Sequence, residues 1–451
     1  MTIDMTGRSA SGIAADLRTR IERGELAPGT LLPSVRAVAA DLGVNRNTVV
    51  AAYRQLAQAG LVEARGRGGT RVADRAAVAQ EGYAPDTVLR DVGTGNPDPG
   101  RIPDPTAALA RSTRPVLYGE PVIDPGLEAW AREWMADQLP HDELRITVTS
   151  GASDAIERLL AQSLQRDDAV ALEDPCFLSA LHTVRTGGYR AVPVAVDAEG
   201  MTVEGLRVAL QAGVRAVICT PRAHNPTGAS LTAERAAALR AVLAEHPYVL
   251  VIEDDHFSLL SRAALHSVIG PGQRRWARIR SMSKFLGPDT CLAVTASDVD
   301  TADGLAVRLT PGTTWVSHLL QRMTLALVTD EAVRAGIERA AAHYAHRNAA
   351  FAEALSARGL AVSPGDGLNL WVPLPVPAAA VREELMRRGW LVREGDPFFL
   401  APEHAGSFLR LTVHDLDADS ADSLADDIAI AAGTLSAGVP PARARSGRIE
   451  A

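Results

Sequence analysis

Lysine is almost missing from this 451-residue chain: of 46 basic residues one, Lys284, is a lysine and the rest are arginine. The bias toward Arg, Ala, Gly and Val reflects a GC-rich coding sequence rather than a mechanism. It makes the single exception conspicuous. Lys284 lies in SMSKFLGPDTCLA, residues 281–293, with Cys291 seven positions later. Cysteine is scarce as well. Cys176, Cys219 and Cys291 are odd in number and far apart, which excludes a disulfide framework and a zinc pattern. No metal site is expected, and a reducing, cytoplasmic setting is. Long apolar runs are lacking, and the opening MTIDMTGRSA has no secretory pattern, so no membrane association is expected. With 47% hydrophobic residues and a mean hydropathy near zero, the composition is that of a soluble globular chain long enough for two or more domains.

Charge of one sign is unevenly spread. Residues 1–75 carry eleven arginines against seven carboxylates, whereas the whole chain is net −8. A basic module on an acidic body points to nucleic acid at one end. In SGIAADLRTRIERGEL, Ile13, Leu17 and Ile21 recur at helical spacing. Pro33-Ser34 opens a second helix, with Ser34 as N-cap and Val35, Val38 and Leu42 on one apolar face. Gly43 makes a turn, and Asn45 can cap a third helix whose Val49, Tyr53 and Leu56 face inward. This is a helix-turn-helix plan, in which the start of the third helix reaches base edges. Asn45, Arg46, Asn47 and Thr48 are the polar residues there. LVEARGRGGTRV then reads as a two-stranded wing bearing Arg65, Arg67 and Arg71, suited to phosphate and minor-groove contact.

The run LLPSVRAVAADLGVNRNTVVAAYRQLAQAGLVEARGRGGTRV resembles the winged-helix domain of the GntR family of bacterial transcription regulators. The likeness covers residues 9–73 and implies that Arg36, Arg46, Thr48 and Gly68 touch double-stranded operator DNA. The DNA-binding domain is therefore placed at residues 1–73, with a linker at 74–88.

Beyond it, AVALE (169–173), AVPVAV (191–196), RAVICT (215–220) and YVLVIED (248–254) read as buried strands. SDAIERLLAQSL (153–164) and TAERAAALRAVLAEH (232–246) read as amphipathic helices. The alternation predicts a mostly parallel sheet covered by helices, with ligands beyond the strand ends. Four runs end in chemistry: SGAS after RITVT, PRAHNPTG after RAVICT, EDDHF after YVLVI, and SMSK after RIR. A lysine in such a pocket can form a Schiff base with an aldehyde, naturally pyridoxal 5'-phosphate. Asp254 can partner its ring nitrogen. The amides of Gly151, Ala152 and Ser153 at a helix start, with the hydroxyls of Ser281 and Ser283, can cradle its phosphate. Asn225 can hydrogen-bond the phenolic oxygen and Phe177 can stack on the ring.

In this order the motifs of residues 89–435 resemble the fold-type I aminotransferases. Joined to a GntR module, the chain resembles the MocR-type regulators. The fold class expected is thus an α/β, fold-type I aminotransferase-like main domain behind a winged helix-turn-helix. The resemblance implies that Lys284 anchors pyridoxal phosphate, that Arg410 in SFLRLTV grips the carboxylate of an amino-acid-like effector, and that Tyr118 reaches the partner's cofactor in a homodimer. Two departures stand out. Cys291 occupies the slot where the family usually has an arginine on the cofactor phosphate, and His256 that of a tyrosine near the phenolic oxygen. The first removes a charge-assisted bond worth about 1.5–3 kcal/mol. Three alternatives stay open at this point: weaker phosphate binding, compensation by another arginine such as Arg222, or a pocket changed toward a different ligand. The expected function is a DNA-binding regulator sensing pyridoxal phosphate, an amino compound, or both. The alternatives are an aminotransferase with an added module and a dimer scaffold. The tail, 436–451, is Pro- and Arg-rich and expected to be disordered.

Overall fold

The computed structural model describes residues 7–64, 69–72, 82–84, 87–112, 114–136, 139, 144–309, 315–400 and 406–438. The basic N-terminal segment forms α1 (Ala10–Glu22), α2 (Val35–Leu42), α3 (Arg46–Gln58) and an antiparallel pair, β1 (Val62–Ala64) with β2 (Thr70–Val72). Ser34 caps α2 by accepting from the Ala37 amide at 3.2 Å, and Gly43 ends it at φ +64°. Ile13, Leu17, Val38, Val49, Tyr53 and Leu56 close a small core. The Tyr53 hydroxyl donates to Pro33 O at 2.7 Å, and burial pushes its pKa up to about 12. The wing expected from the sequence is present as β1 and β2, but Arg65, Arg67 and Gly68 lie outside the described residues. Arg71 is described, and its Nη1 donates to Gly29 O at 2.8 Å, so it clasps the preceding loop.

The strands of the body are β3 (Arg145–Thr149), β4 (Ala169–Asp174), β5 (Arg190–Asp197), β6 (Gly200–Met201), β7 (Ala216–Cys219), β8 (Leu250–Asp254), β9 (Trp276–Ser281) and β10 (Ala293–Ser297). They make one eight-stranded sheet in the order β3-β10-β9-β8-β7-β4-β5-β6. The neighbours β9, β8, β7, β4 and β5 run parallel, while β10 is antiparallel to both its neighbours and β6 is an antiparallel edge. Central strands buried on both faces explain the near-continuous apolar runs in the sequence. The helix predicted at 153–164 is α4 (Ala152–Ser163), that at 232–246 is α6 (Ala233–Ala244), and α5 (Leu178–Thr186) lies between them in the chain.

A second core, not separated in the sequence reading, lies in the C-terminal part. Here β11 (Leu370–Pro373), β12 (Arg393–Glu394) and β13 (Phe408–Leu411) form a sheet in the order β11-β13-β12. The 27-residue α7 (Glu331–Ala357) spans both parts. Its Ile337, Ala340, Ala341 and Tyr344 enter the large core, and its Phe351, Ala352 and Leu355 the small one. The last helix, α8 (Ala418–Gly438), runs past residue 435, where the sequence reading ends the domain. Residues 439–451, and residues 74–81, 85 and 86 of the expected linker, lie outside the described residues.

Candidate functional site

The segments that follow β8, β7 and β9 in the chain come together at a cleft lined by His224, Asn225, His256, Lys284, Asp366 and Asn369. Lys284 is half-buried, and its Nζ donates to Gly95 O at 3.4 Å. Alternation along β8 sends consecutive acids to opposite faces. Asp254 faces the Lys284 side. It is 6% exposed, and its Oδ1 has no hydrogen-bond partner among the described residues. Burial, then the neighbouring Asp255, pushes its carboxyl from 3.8 to about 7, against the opposing pull of Lys284.

Glu253 and Asp255 turn to the other face, where arginines answer them. Glu253 pairs with Arg278 at 2.7 Å, both fully buried. Asp255 receives Nε and Nη2 of Arg222 at 2.8 and 2.9 Å, and Nε of Arg280 at 2.9 Å. Burial alone would raise Asp255, but the two guanidiniums outweigh it and hold the carboxyl below its usual range. The compensation for Cys291 that sequence proximity suggested for Arg222 is therefore corrected. Its guanidinium is already engaged bidentately by Asp255, with Nη1 on Ala263 O at 3.1 Å.

Asn225 follows β7 at a cis Asn225-Pro226 bond, and its Oδ1 accepts from Arg410 Nη1 at 3.3 Å. Gly228 of the same turn has φ +73°, and a Cβ there would stand 2.7 Å from Gly365 Cα. Only glycine permits that approach. Arg410, fully buried on β13, also donates through Nη2 to Gly93 O at 2.9 Å and lies 5.0 Å from the centroid of the Phe398 ring. The rings of Phe177 and His256 are parallel within 4°, their centroids 6.4 Å apart. Of the two, His256 lines the cleft, and Phe177 is half-buried beside it.

In line with Ser281 across the sheet, β3 ends at Thr149; Gly151 then precedes α4 at φ +90°, and no side chain caps that helix. The Gly151 amide itself donates to Thr149 O at 2.9 Å, which corrects its expected role in the cradle. The Ala152 and Ser153 amides begin the uncapped helix. Ser153 Oγ is 2.6 Å from Ser179 Oγ, and the buried Ser281 Oγ accepts from the Ser283 amide at 3.2 Å. Cys291 is exposed and indeed stands beside this turn: its Sγ is 3.4 Å from Ser150 O and 3.5 Å from where a Gly151 Cβ would be. Tyr118 is 87% exposed and packs 5.4 Å from the Trp315 ring.

Three features were missed in the sequence. Gly93 and Gly95 of DVGTGNP supply the carbonyls that meet Arg410 and Lys284. A Cβ on Gly93 would come within 2.9 Å of the Arg393 amide, a close approach that the Gly-Thr-Gly spacing could have signalled. The third is a buried pair behind Asp254. Glu173 at the end of β4 accepts from the Thr220 amide at 3.0 Å, and its Oε2 is 3.5 Å from His224 Nε2. Burial pushes Glu173 to about 8 and His224 down to about 3, so both are uncharged at neutral pH.

On the DNA side, Arg36, Arg46 and Asn47 are exposed and Thr48 is half-buried. Asn45 is exposed too and caps α3 as expected: its Oδ1 accepts from the Asn47 amide at 2.9 Å, which leaves the Nδ2 donors to face outward.

A winged helix ahead of a fold-type I body defines the class, and comparison with known proteins agrees. The bacterial regulatory proteins of the gntR family match at residues 9–72, and aminotransferase class I and II matches at 91–428. The chain is 48% identical to the vitamin B6 salvage pathway transcriptional repressor PtsJ of Salmonella typhimurium, over 94% of this chain and 98% of that one. It is 29% identical to the HTH-type transcriptional regulator TauR of Rhodobacter capsulatus, over 86% and 89% of the two chains. Among solved structures, the α-aminoadipate aminotransferase LysN of Thermus thermophilus superposes with a TM-score of 0.69 at 22% identity, over 78% of this chain and 94% of that one, a likeness of fold. The chain belongs to the MocR-type GntR regulators, DNA-binding transcription regulators that carry an aminotransferase-like domain. No described helix is long and apolar enough to cross a membrane.

Proposed function

We propose that this regulator senses pyridoxal 5'-phosphate through the cleft around Lys284, and that occupancy biases its winged helices between two states on operator DNA. The observation that carries the reading is Asp254. A buried carboxylate oxygen without a partner, facing the chain's one lysine, is suited to a protonated ring nitrogen. The other residues fit the same group. Phe177 and His256 offer faces for a flat ring, and Asn225 and His256 offer hydrogen bonds for a phenolic oxygen. The Ala152 and Ser153 amides, with Ser281 and Ser283, suit a phosphate. Bound there, the cofactor supplies an aldehyde that captures primary amines and a ring that withdraws electrons.

Lys284 holds its amine at the cleft through Gly95 O. Burial suppresses the charge of Asp254, and a cation arriving beside it in that dry environment strongly favours the carboxylate. Arg410 is placed by Gly93 and Asn225 for the carboxylate of an amino-acid-like effector. Tyr118, exposed on the surface, suits contact with a second copy in a homodimer. A ligand shifts DNA binding only by its differential affinity for the two states. The Salmonella relative is named as a repressor of vitamin B6 salvage, and regulation responsive to that vitamin is proposed here too.

Titration of the purified full chain with pyridoxal phosphate tests this. A visible absorption band should form in the wild type and be absent in Lys284→Ala, and operator affinity should change with the band. No band at any cofactor concentration sinks the reading. Arg46→Ala should abolish specific operator binding and leave the band intact. Sustained keto-acid release from amino acids would instead make the chain an aminotransferase.

A further inference from the structure

The outward face of α3 is not uniformly polar. Val49, Ala52, Tyr53 and Leu56 are buried against α1 and α2 and fix how the helix is turned. Helical periodicity then sets positions 46, 47, 50 and 54 along one outward stripe. Arg46, Asn47 and Arg54 are exposed there, and between them Val50 is 48% exposed. Valine is a poor helix former because its branched Cβ restricts rotation against the preceding turn. An exposed valine recovers little of that cost by packing, so the fold of the domain does not account for it.

The occupant of this face is known by class, since the domain binds duplex DNA and the start of the third helix meets base edges in the major groove. An apolar group in that groove has one matching feature on the bases, the C5-methyl of thymine. The residue one turn earlier, Asn47, carries the amide that pairs bidentately with adenine. Asn45, the cap outside the helix, and the half-buried Thr48 lie off this stripe, whose inner part is formed by Asn47 and Val50.

We propose that Val50 is a specificity-determining residue that reads a thymine methyl group in each operator half-site, beside the base contacted by Asn47. The contact is apolar and adds nothing to phosphate neutralisation. It therefore alters sequence preference and leaves the salt dependence of binding unchanged.

The probe is a duplex that the full-length wild-type protein selects from a random-sequence library. Each retained thymine is replaced in turn, at equivalent positions of both half-sites, by uracil, which lacks the methyl group alone. At one position the wild type should bind about fourfold more weakly per half-site, the worth of one buried methyl. Val50→Ala should bind the thymine and uracil duplexes equally, with wild-type salt dependence, and Val50→Thr, which keeps a branched methyl, should restore discrimination. Wild-type indifference to uracil at every thymine overturns the proposal. So does a Val50→Ala protein that still discriminates as the wild type does, or one that loses affinity to the same degree on both duplexes with thymine discrimination intact. The last result would assign Val50 to a protein contact.

Discussion

The two ends of the candidate cofactor cleft are built on different terms. At the ring end, Glu173, His224, Asp254 and Asp255 are all buried, and their charges are neutralised, suppressed by burial or answered by Arg222 and Arg280. Removing one partner there leaves an uncompensated charge in a dry interior, so the end is held by stability as well as by any ligand. At the other end the groups are helix amides, serine hydroxyls and the exposed Cys291. A side chain at that rim can change with little effect on the fold. Of the two departures from the usual aminotransferase pattern, Cys291 falls there, where the fold tolerates change, and His256 falls at the ring end.

Substitutions at each end can break or sharpen this contrast. Lys284→Ala should have the largest effect, complete loss of the covalent cofactor band in the visible spectrum. At the ring end, Asp254→Asn should weaken cofactor binding by about one to two decades, measured by fluorescence titration, as a charge-assisted hydrogen bond is lost. Its chain neighbour should behave differently. Arg222→Ala should lower unfolding stability by about 3 kcal/mol in a denaturant melt, because Asp255 loses its bidentate partner. A wild-type melt for that variant would show that the buried network is dispensable. At the phosphate end, Cys291→Arg should tighten binding of pyridoxal phosphate about tenfold and leave that of unphosphorylated pyridoxal unchanged. Equal effects on both ligands would contradict the placement of Cys291.

The smallest effect is the pH response. In the folded chain Asp254 is raised from 3.8 to about 7 and Glu173 from 4.5 to about 8. The folded state therefore retains protons that the unfolded chain has released, and the stability these groups lend at low pH is lost as pH rises through about 8. Thermal melts of cofactor-free protein should show this decline, flattened in Glu173→Gln. Cofactor affinity should fall in the opposite direction, as acid below pH about 7 protonates Asp254.

Much of this was readable along the chain. Buried parallel strands are continuous apolar runs, so their ends, and the Asn225, Asp254, Ser281 and Lys284 that follow or close them, could be located by eye. The caps Ser34 and Asn45 were equally local. What could not be read involved partners far apart in sequence. Arg222 is near the Asn225 turn in the chain, but its guanidinium is claimed by Asp255 across two strands. Gly93 and Gly95 meet Arg410 and Lys284 over separations of 189 to 317 residues. The second core likewise depends on α7 entering both hydrophobic clusters, which no local pattern announces.

Sequence by itself determined the two-part plan, the winged helix, the parallel sheet and the one amine able to hold an aldehyde, because each rests on local periodicity or on a residue's own chemistry. It also determined that residue 254 opposes residues 253 and 255, since side chains alternate along any strand. The tertiary structure decided which of those faces meets arginines and which is left facing Lys284. That choice depends on what packs against the strand from elsewhere in the chain, and it turns adjacent identical carboxylates into a locked ion pair and an acid awaiting a cation.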